Sequence, residues 1–228
     1  MNKFIIETNN LKKTYKHKNG IIELFSSVNI KIKSGELIAL VGPSGSGKTS
    51  FLNLLALLDE PSQGKILLKN KNTNNFTDTE KNMARRDSIS IIFQDNNLLS
   101  DFTAIENVMM PLIIKGEKID TSYKKAIKVL KTIKVLNRID HFPNELSGGE
   151  QQRIAIARAL ISGTDLILAD EPTGNLDYKT AEHIFSYFLE LKKLNKAIIF
   201  ATHNRELANK ADYKLSISSG HIKRVNAR

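Results

Sequence analysis

The sequence predicts an α/β fold with a mostly parallel core sheet, an N-terminal antiparallel β part and a helical insertion. Three runs that are apolar on both faces, at residues 36–41, 165–169 and 197–201, suit strands buried within a parallel sheet. A helical pattern at residues 178–195 lies between the last two runs and completes a strand–helix–strand unit. Residues 96–145 carry helical patterns and no convincing strand, so they predict the insertion.

Shorter elements fill the rest of the chain. Residues 4–7 and 28–33 alternate between apolar and polar side chains, which predicts antiparallel strands. Residues 50–58 predict a helix after the first buried strand, and residues 89–93 form a further strand-like run. The α/β core is therefore expected to come from two separated parts of the chain.

A lysine-dense stretch at residues 115–134 predicts one helix. Its apolar stripe runs from Ala126 to Ile133, and Asp120 or Thr121 can cap its first turn. A solvated helix face explains these lysines better than a binding patch does.

The length of 228 residues fits one or two domains, and we expect one. Its α/β core would occupy about 1–94 and 150–228, with the helical insertion at about 95–149. Apolar residues make up 41% and charged residues 25%, which excludes a disordered or collagen-like chain. The lack of cysteine excludes disulfides, cysteine-based zinc sites and thiol catalysis.

The formal net charge of +10 raises the possibility of a nucleic-acid or anionic membrane partner. Most of the 34 basic residues are lysine, whereas a phosphate-reading surface favours arginine, so no nucleic-acid partner is expected. No apolar run is long enough to cross a membrane, and no signal-peptide pattern opens the sequence. A cytoplasmic location is expected.

The most informative motif is a run that fits G-x-x-x-x-G-K-[ST] at every position, between a predicted strand and a predicted helix. In that context its backbone N–H groups point at phosphate oxygens, and the helix adds its positive N-terminal end. Lys48 would meet the β- and γ-phosphates, and Thr49 would bind Mg²⁺. The run consists of Gly42, Pro43, Ser44, Gly45, Ser46, Gly47, Lys48 and Thr49.

Three predicted strands end on polar side chains. Asp170 ends one apolar strand, where a P-loop enzyme places its second Mg²⁺ ligand. Glu171 follows directly. Taken alone it could equally cap the next helix, but beside the P-loop it is favoured as the residue that orients the attacking water. His203 and Gln94 follow two other strands, and ligands of open α/β sheets bind at such strand ends. His203 is expected to contact the γ-phosphate, and Gln94 the Mg²⁺ and the water.

The segment Leu146-Ser-Gly-Gly-Glu-Gln151 predicts a second anion site. Ser147 and Glu150 have the spacing of a capping box, and two glycines lie between them at the start of a helix. A second phosphate site is unexpected for an enzyme that binds one nucleotide. It is explained if the segment serves the nucleotide held by another copy of the chain.

Together these motifs resemble the ATPase subunits of ABC transporters over essentially the whole chain. The P-loop, Gln94, LSGGEQ, the Asp170-Glu171 strand end and His203 occur in the family's order and approximate spacing, and LSGGEQ is the most specific. The one departure is Asn204, where many relatives have Asp.

The resemblance implies ATP and Mg²⁺ as cofactors and ATP hydrolysis as the activity. It implies that Tyr15 stacks on adenine, although the residues alone fit a strand or turn aromatic equally well. Ser50 joins the P-loop residues in the ATP site. The implied catalytic residues are Glu171, His203 and Gln94, and the implied Mg²⁺ ligands are Thr49, Gln94 and Asp170.

The family also implies a head-to-tail homodimer with each ATP between two chains. Residues 172–177 resemble the loop that reaches across the dimer. The residues implied to act on the partner's ATP are Ser147, Gly148, Gly149, Glu150 and Asp177.

Within the family, residues 57–64, 98–111 and 169–177 resemble a group of lipoprotein-releasing, efflux and cell-division ATPases, and residues 101–107 are most similar to the first kind. This implies a peripheral subunit on the cytoplasmic face of the bacterial inner membrane. With two integral membrane subunits, it would power release of lipoproteins towards the outer membrane.

Alternatives stay open at this point. One is the ATPase of a cell-division or efflux complex. A different class is a soluble, nucleic-acid-associated ABC ATPase, which salt-dependent nucleic-acid binding would reveal. A third, a non-hydrolysing regulator, is disfavoured by the presence of Glu171 and His203.

In ABC transporter ATPases, the region that follows the residue matching Gln94 receives a short helix from the membrane subunit. Leu98, Leu99 and Phe102 are the candidate apolar anchors there. The alternative is that these side chains fill the core of the helical insertion.

Overall fold

The computed structural model describes residues 4–18 and 20–226. Two β-sheets form the framework. The first is antiparallel, with strand order β2-β1-β4-β5. Its strands are β1 Phe4–His17, β2 Gly20–Lys33, β4 Gln63–Leu68 and β5 Lys71–Asn72.

The second sheet has strand order β10-β9-β3-β8-β7-β6 and is parallel except at its β10 edge. Its strands are β3 Leu37–Val41, β6 Ile89–Ile92, β7 Leu166–Asp170, β8 Ala197–Ala201, β9 Tyr213–Ser218 and β10 His221–Asn226. The mostly parallel core sheet, the N-terminal antiparallel sheet and the α/β class are thereby confirmed. The β9–β10 hairpin was not anticipated from the sequence.

Seven α-helices lie between the strands of the described ranges. They are α1 Lys48–Leu55, α2 Asp78–Ser88, α3 Ala104–Ile114, α4 Ile119–Thr132, α5 Gly148–Ile161, α6 Tyr178–Lys193 and α7 Arg205–Asn209. Short 3-10 turns occur at Thr73–Asn75, Leu136–Arg138 and Pro143–Glu145. Helices α3, α4 and α5 connect β6 to β7, and α3 and α4 lie within the range predicted for the helical insertion. No helix within 4–18 or 20–226 is both long and apolar enough to cross a bilayer.

The prediction of a single lysine-rich helix at 115–134 is wrong at its start. Lys115 is the C-cap of α3, and α4 begins only at Ile119 after Lys118 as N-cap. Gly116 causes the break, because its φ of +83° lies in the left-handed region and ends a helix. Asp120 lies in the first turn of α4 and does not cap it.

Both faces of the parallel sheet are buried, as its continuous apolar strands require. Ile38 and Leu40 of β3 pack with α1 and the antiparallel sheet in one core. Leu37 and Ala39 face the opposite side and pack with the helices of the insertion and α6 in the other core. The parallel strands thus end at a common edge, between the two cores.

Candidate nucleotide-binding site

A cavity of about 380 Å³ lies at the carboxyl ends of β3, β7 and β8. It gathers side chains that are far apart in the sequence, as the strand-end hypothesis expected. Its lining consists of Tyr15, Leu24, Ser44, Gly45, Gly47, Lys48, Thr49, Ser50, Gln94, Asp170, Glu171 and His203.

The run 42–49 wraps tightly between β3 and α1. A Cβ on Gly42 would lie 2.6 Å from the carbonyl oxygen of Ile217, so only glycine fits there. Gly47 is the N-cap of α1 with a φ of 98°, which glycine adopts at little cost. The sequence therefore folds into a loop whose exposed backbone faces the cavity, at the positive end of a helix.

Two P-loop side chains are poised for an anion. Lys48 is buried, and its ammonium donates to the carbonyl oxygens of Gly42 at 2.9 Å and Pro43 at 3.1 Å. The buried Ser46 hydroxyl has no hydrogen-bond partner among the residues described. A buried hydroxyl normally has a partner, so this one fits a phosphate ligand.

Thr49 and Asp170 meet across the cavity floor, where the Thr49 hydroxyl donates to Asp170 Oδ2 at 2.6 Å. Asp170 is the last residue of β7 and is buried. A hydroxyl and a carboxylate are the oxygen donors that Mg²⁺ prefers, so the pair fits that ion. No group of three or more His, Cys, Asp or Glu side chains suited to a metal occurs in the described ranges. The remaining ligands of such an ion would come from phosphates and water.

Glu171 is held in an uncommon backbone conformation beside this pair. Its φ is +47°, which costs a non-glycine residue about 1–3 kcal/mol, and its N–H donates to the Ala201 carbonyl at 3.1 Å. Burial raises the pKa of the Glu171 carboxyl above its ordinary value, and the nearby His203 and Lys48 oppose that rise. Strain and a raised pKa together are typical of a functional carboxylate.

The helix-cap alternative for Glu171 is wrong, because Asp177 caps the next helix, α6. Asp177 accepts from the N–H of Thr180 at 3.1 Å and from its hydroxyl at 2.5 Å. These bonds lower the pKa of Asp177. The structure therefore gives Asp177 a helix-capping contact within its own chain, and its contact across a dimer stays a prediction.

The capping box expected at the second anion motif is present. Ser147 Oγ accepts from the Glu150 N–H at 3.3 Å, and Glu150 Oε2 accepts from the Ser147 N–H at 2.9 Å. Arg138 donates to the other Glu150 oxygen at 2.7 Å. The Arg138 contact, followed by the Ser147 N–H, lowers the pKa of Glu150 to about 2. Arg138 was not identified from the sequence, which offers no local motif for it.

The second anion motif stands apart from the cavity. Among the residues described as lining that cavity, none of Ser147, Gly148, Gly149, Glu150 or Asp177 appears. Gly149 instead lies beside the loop before α6, because a Cβ there would be 3.6 Å from the Asn175 carbonyl oxygen. The Ser147 motif therefore lies outside the P-loop cavity of its own chain.

Asn204 replaces aspartate without loss of the local structure. Its side-chain oxygen accepts from the N–H groups of Glu206 at 2.9 Å and Leu207 at 3.1 Å, and so caps α7. Asparagine and aspartate cap helices about equally well, which explains the tolerance of this departure.

A second, largely apolar groove of about 550 Å³ lies beside the segment that contains Gln94, with Phe93 and Asn97 in its lining. Leu99 lines it together with Met110, Pro111 and Ile114. Leu98 packs instead against the core of the insertion. Phe102 is partly exposed and does not line the groove in the described chain.

Arg158 of α5 holds the segment between Gln94 and this groove. This residue was not identified from the sequence. Its guanidinium donates to the carbonyl oxygens of Asn96 and Asn97, each at 2.7 Å. Asn97 lines both the groove and a cavity that Gln94, Thr49 and Asp170 also line.

The fold and the cavity define a P-loop nucleotide-binding protein, and comparison with known proteins narrows the class. The family model described as ABC transporter matches residues 25–174. The lipoprotein-releasing system ATP-binding protein LolD of Legionella pneumophila (strain Lens) is 40% identical over 223 residues, covering 97% of this chain and 98% of LolD. LolD of Rickettsia bellii (strain RML369-C) is 43% identical over 218 residues, covering 94% and 96%.

A solved dimeric ATP-binding cassette, bound to ADP and Pi in a post-hydrolysis state, matches with a TM-score of 0.94 and 38% identity. The match covers 98% of this chain and 99% of that one. The chain belongs to the ABC transporter family and is an ABC ATPase. The family expected from the motifs is confirmed, and so is ATP as the nucleotide.

Proposed function

We propose that this ABC ATPase works as a homodimer that powers release of lipoproteins from the inner membrane towards the outer membrane. It would bind two integral membrane subunits of the lipoprotein-releasing permease type, as a peripheral protein on the cytoplasmic face. The names of the relatives support this choice of cargo. The homodimer is supported by the position of the Ser147 motif, which does not line the P-loop cavity of its own chain.

The proposed hydrolytic step relies on positioning and charge. Glu171 orients and polarises the attacking water, and its raised pKa makes it a better proton acceptor than an ordinary carboxylate. His203, with Nε2 3.4 Å from Glu171 Oε1, contacts the γ-phosphate. Gln94, which follows β6 at the same edge of the sheet, contacts the same phosphate. Lys48 neutralises charge that develops on the phosphate oxygens.

Mg²⁺ would be held by Thr49, Asp170 and Gln94, and it would neutralise phosphate charge there. Thr49 and Asp170 already lie within 2.6 Å of each other. The other P-loop residues, Ser50 and Tyr15 bind the rest of ATP.

The second chain completes each site in this proposal. Its Ser147, Gly148 and Gly149 would bind the γ-phosphate at the N-terminus of α5, where the helix dipole favours an anion. Glu150 holds Ser147 in place through the capping box. Closure of the dimer around two ATP molecules would move the membrane subunits.

The groove lined by Leu99 is the proposed docking site for those subunits. Its lining includes the apolar side chains of Leu99 and Ile114 and the basic residues Arg85 and Arg86. An amphipathic helix with an acidic side would suit it.

We also propose the division into an α/β core at about 1–94 and 150–228 and an insertion at about 95–149, since Gln94 lies where the two meet.

Reconstitution tests the proposal most fully. The chain would be purified with candidate membrane subunits encoded beside it and placed in proteoliposomes that carry an acylated lipoprotein. ATP-dependent release of the lipoprotein is expected, with Glu171→Gln as the inactive control. ATP hydrolysis without release would favour the cell-division or efflux role. Steeply salt-dependent nucleic-acid binding would favour the soluble class.

A further inference from the structure

Tyr15 is held in place by a lysine–aspartate pair that belongs to none of the sequence motifs. The Tyr15 hydroxyl donates to Asp59 Oδ2 at 3.0 Å. The Lys13 ammonium donates to Asp59 Oδ1 at 2.7 Å and to the Glu60 carbonyl oxygen at 2.9 Å. Each oxygen of the Asp59 carboxylate therefore receives one of the two side chains.

Lys13 is buried to a degree that is rare for lysine, with only 9% of its side chain exposed. The β1–β2 register shifts on both sides of it, and Lys13 is buried where Thr14 and Tyr15 are not. Burial raises the pKa of the Asp59 carboxyl, but hydrogen bonds from Lys13, Glu60 N–H and Tyr15 outweigh that effect and lower the pKa. A buried charge is costly unless it is paired, so Lys13 and Asp59 hold each other in place.

The pair also determines which face of the Tyr15 ring is available. The Lys13 ammonium lies 4.7 Å from the ring centroid and so occupies one face. Tyr15 as a whole is 40% exposed and lines the nucleotide cavity. In the part of the chain that the structure describes, no other ring or cation contacts the face opposite Lys13.

The segment that carries Asp59 connects this ring to the P-loop helix. Asp59 follows α1, which begins at Lys48. Ser62, three residues on, donates from its N–H to the Lys12 carbonyl at 2.8 Å and accepts from the Thr14 N–H at 3.0 Å. The strand that bears Tyr15 is thereby fixed to the helix that begins at the phosphate site.

We propose that Lys13 and Asp59 are positioning residues for base recognition, which hold the Tyr15 ring so that its open face stacks on adenine. The proposal rests on the proposed function, in which Tyr15 binds adenine. Phosphate binding is left to the P-loop. Loss of the pair should therefore weaken only the part of ATP binding that depends on the base.

The test measures dissociation constants for MgATP and for inorganic tripolyphosphate, which lacks a base, by calorimetry on the full chain. Asp59→Asn keeps the size of the side chain but removes the charge that pairs with Lys13, and an NH₂ group in place of Oδ2 cannot accept the Tyr15 O–H. Since base stacking on an aromatic ring is a substantial part of nucleotide affinity, we expect about a 3- to 10-fold rise in the dissociation constant for ATP. That for tripolyphosphate should change less than about twofold, within ordinary context effects.

Two further variants test whether Asp59 affects ATP binding through Tyr15. Tyr15→Phe removes the same hydrogen bond from the other side, so Tyr15→Phe/Asp59→Asn should bind ATP no more weakly than Asp59→Asn alone. Asp165→Asn is the matched control, because Asp165 is also a half-exposed carboxylate held by lysines, Lys69 at 2.6 Å and Lys196 at 3.1 Å. It should leave both dissociation constants unchanged.

The outcomes separate this proposal from its premise. If Tyr15→Ala leaves ATP binding unchanged, the adenine role of Tyr15 is wrong and the positioning proposal is overturned with it. If Tyr15→Ala weakens ATP binding but Asp59→Asn does not, only the positioning proposal is overturned. Equal weakening of ATP and tripolyphosphate by Asp59→Asn would also overturn it, because that result indicates general damage.

Discussion

The Glu171 carboxylate and the His203 imidazole lie side by side, with Oε1 3.4 Å from Nε2. They follow neighbouring parallel strands, β7 and β8, and the Glu171 N–H bonds to the last residue of β8. Glu171 Oε1 is buried and makes no hydrogen bond within the described chain. An acceptor in that state is suited to a water molecule that is about to attack a phosphate.

Glu171→Gln should keep ATP binding and lower turnover by on the order of a hundredfold or more, as for loss of a general base. The amide has the same shape, so the fold and the P-loop should not change. ATPase assays and nucleotide-binding measurements on the purified chain check this, with wild type as reference. Turnover within a few-fold of wild type would leave Glu171 without a catalytic role.

On the acid side of its pH profile, ATP turnover should fall at a pH above the ordinary pKa of a glutamate carboxyl group. Burial raises the pKa of Glu171, so its proton is lost only at a higher pH than that of a solvated glutamate. Glu171 acts as a base only when ionised, and turnover therefore rises as pH rises through its folded-state pKa. Because His203 opposes the rise, His203→Gln should move the acid limb of the residual rate to still higher pH. An unmoved limb would show that another group titrates there.

Arg138→Met should weaken the second anion motif, at Ser147 and Glu150, without affecting the P-loop. Arg138 is the first cause of the lowered pKa of Glu150, and that carboxylate accepts from the Ser147 N–H. The low pKa means that the contact persists at neutral pH and is lost only as pH falls towards about 2. In the variant, ATP affinity of the single chain should stay within about twofold. ATP-dependent dimer formation and turnover should fall together, as sedimentation and ATPase assays would report.

Leu99→Asp should give a folded, ATP-binding chain that no longer co-purifies with its membrane subunits. Leu99 is 41% exposed and lines the groove, so the charge costs little in the isolated chain. Leu98→Asp should instead lower the free energy of unfolding by several kcal/mol, since Leu98 packs against the insertion core. Leu194→Asp, at an exposed site on another helix end, is the control and should do neither. Normal co-purification of the Leu99 variant would refute docking at that residue.

Local motifs allowed much of the site to be predicted from the sequence. Most of the P-loop run and the strand-end residues Asp170, Glu171, Gln94 and His203 line one cavity, because parallel strands bring their carboxyl ends to the same edge. Tyr15 of the antiparallel sheet lines it as well. The capping box of Ser147 and Glu150 was also predictable, since it depends on residues three apart.

The features that the sequence did not reveal depend on contacts between distant residues. Strand β1 extends to His17 although alternation suggested only residues 4–7, because register shifts interrupt the two-residue pattern. The bond between Tyr15 and Asp59 spans 44 residues, and Lys13 looks like a surface lysine until that pair is seen. Contacts between residues so far apart produce no periodic pattern in the sequence, so they could not be predicted from it.

The completion of each ATP site by a second chain is tested most directly by mixing two inactive variants, Lys48→Ala and Ser147→Arg. In the mixed dimer, one site combines both defects, and the other joins the intact P-loop of one chain to the intact Ser147 of its partner. We predict that each variant alone forms no active ATP-dependent dimer, and that the mixture regains both dimer formation and turnover from the single intact site. No recovery at any mixing ratio would contradict a shared site and place both residues at the same nucleotide of one chain.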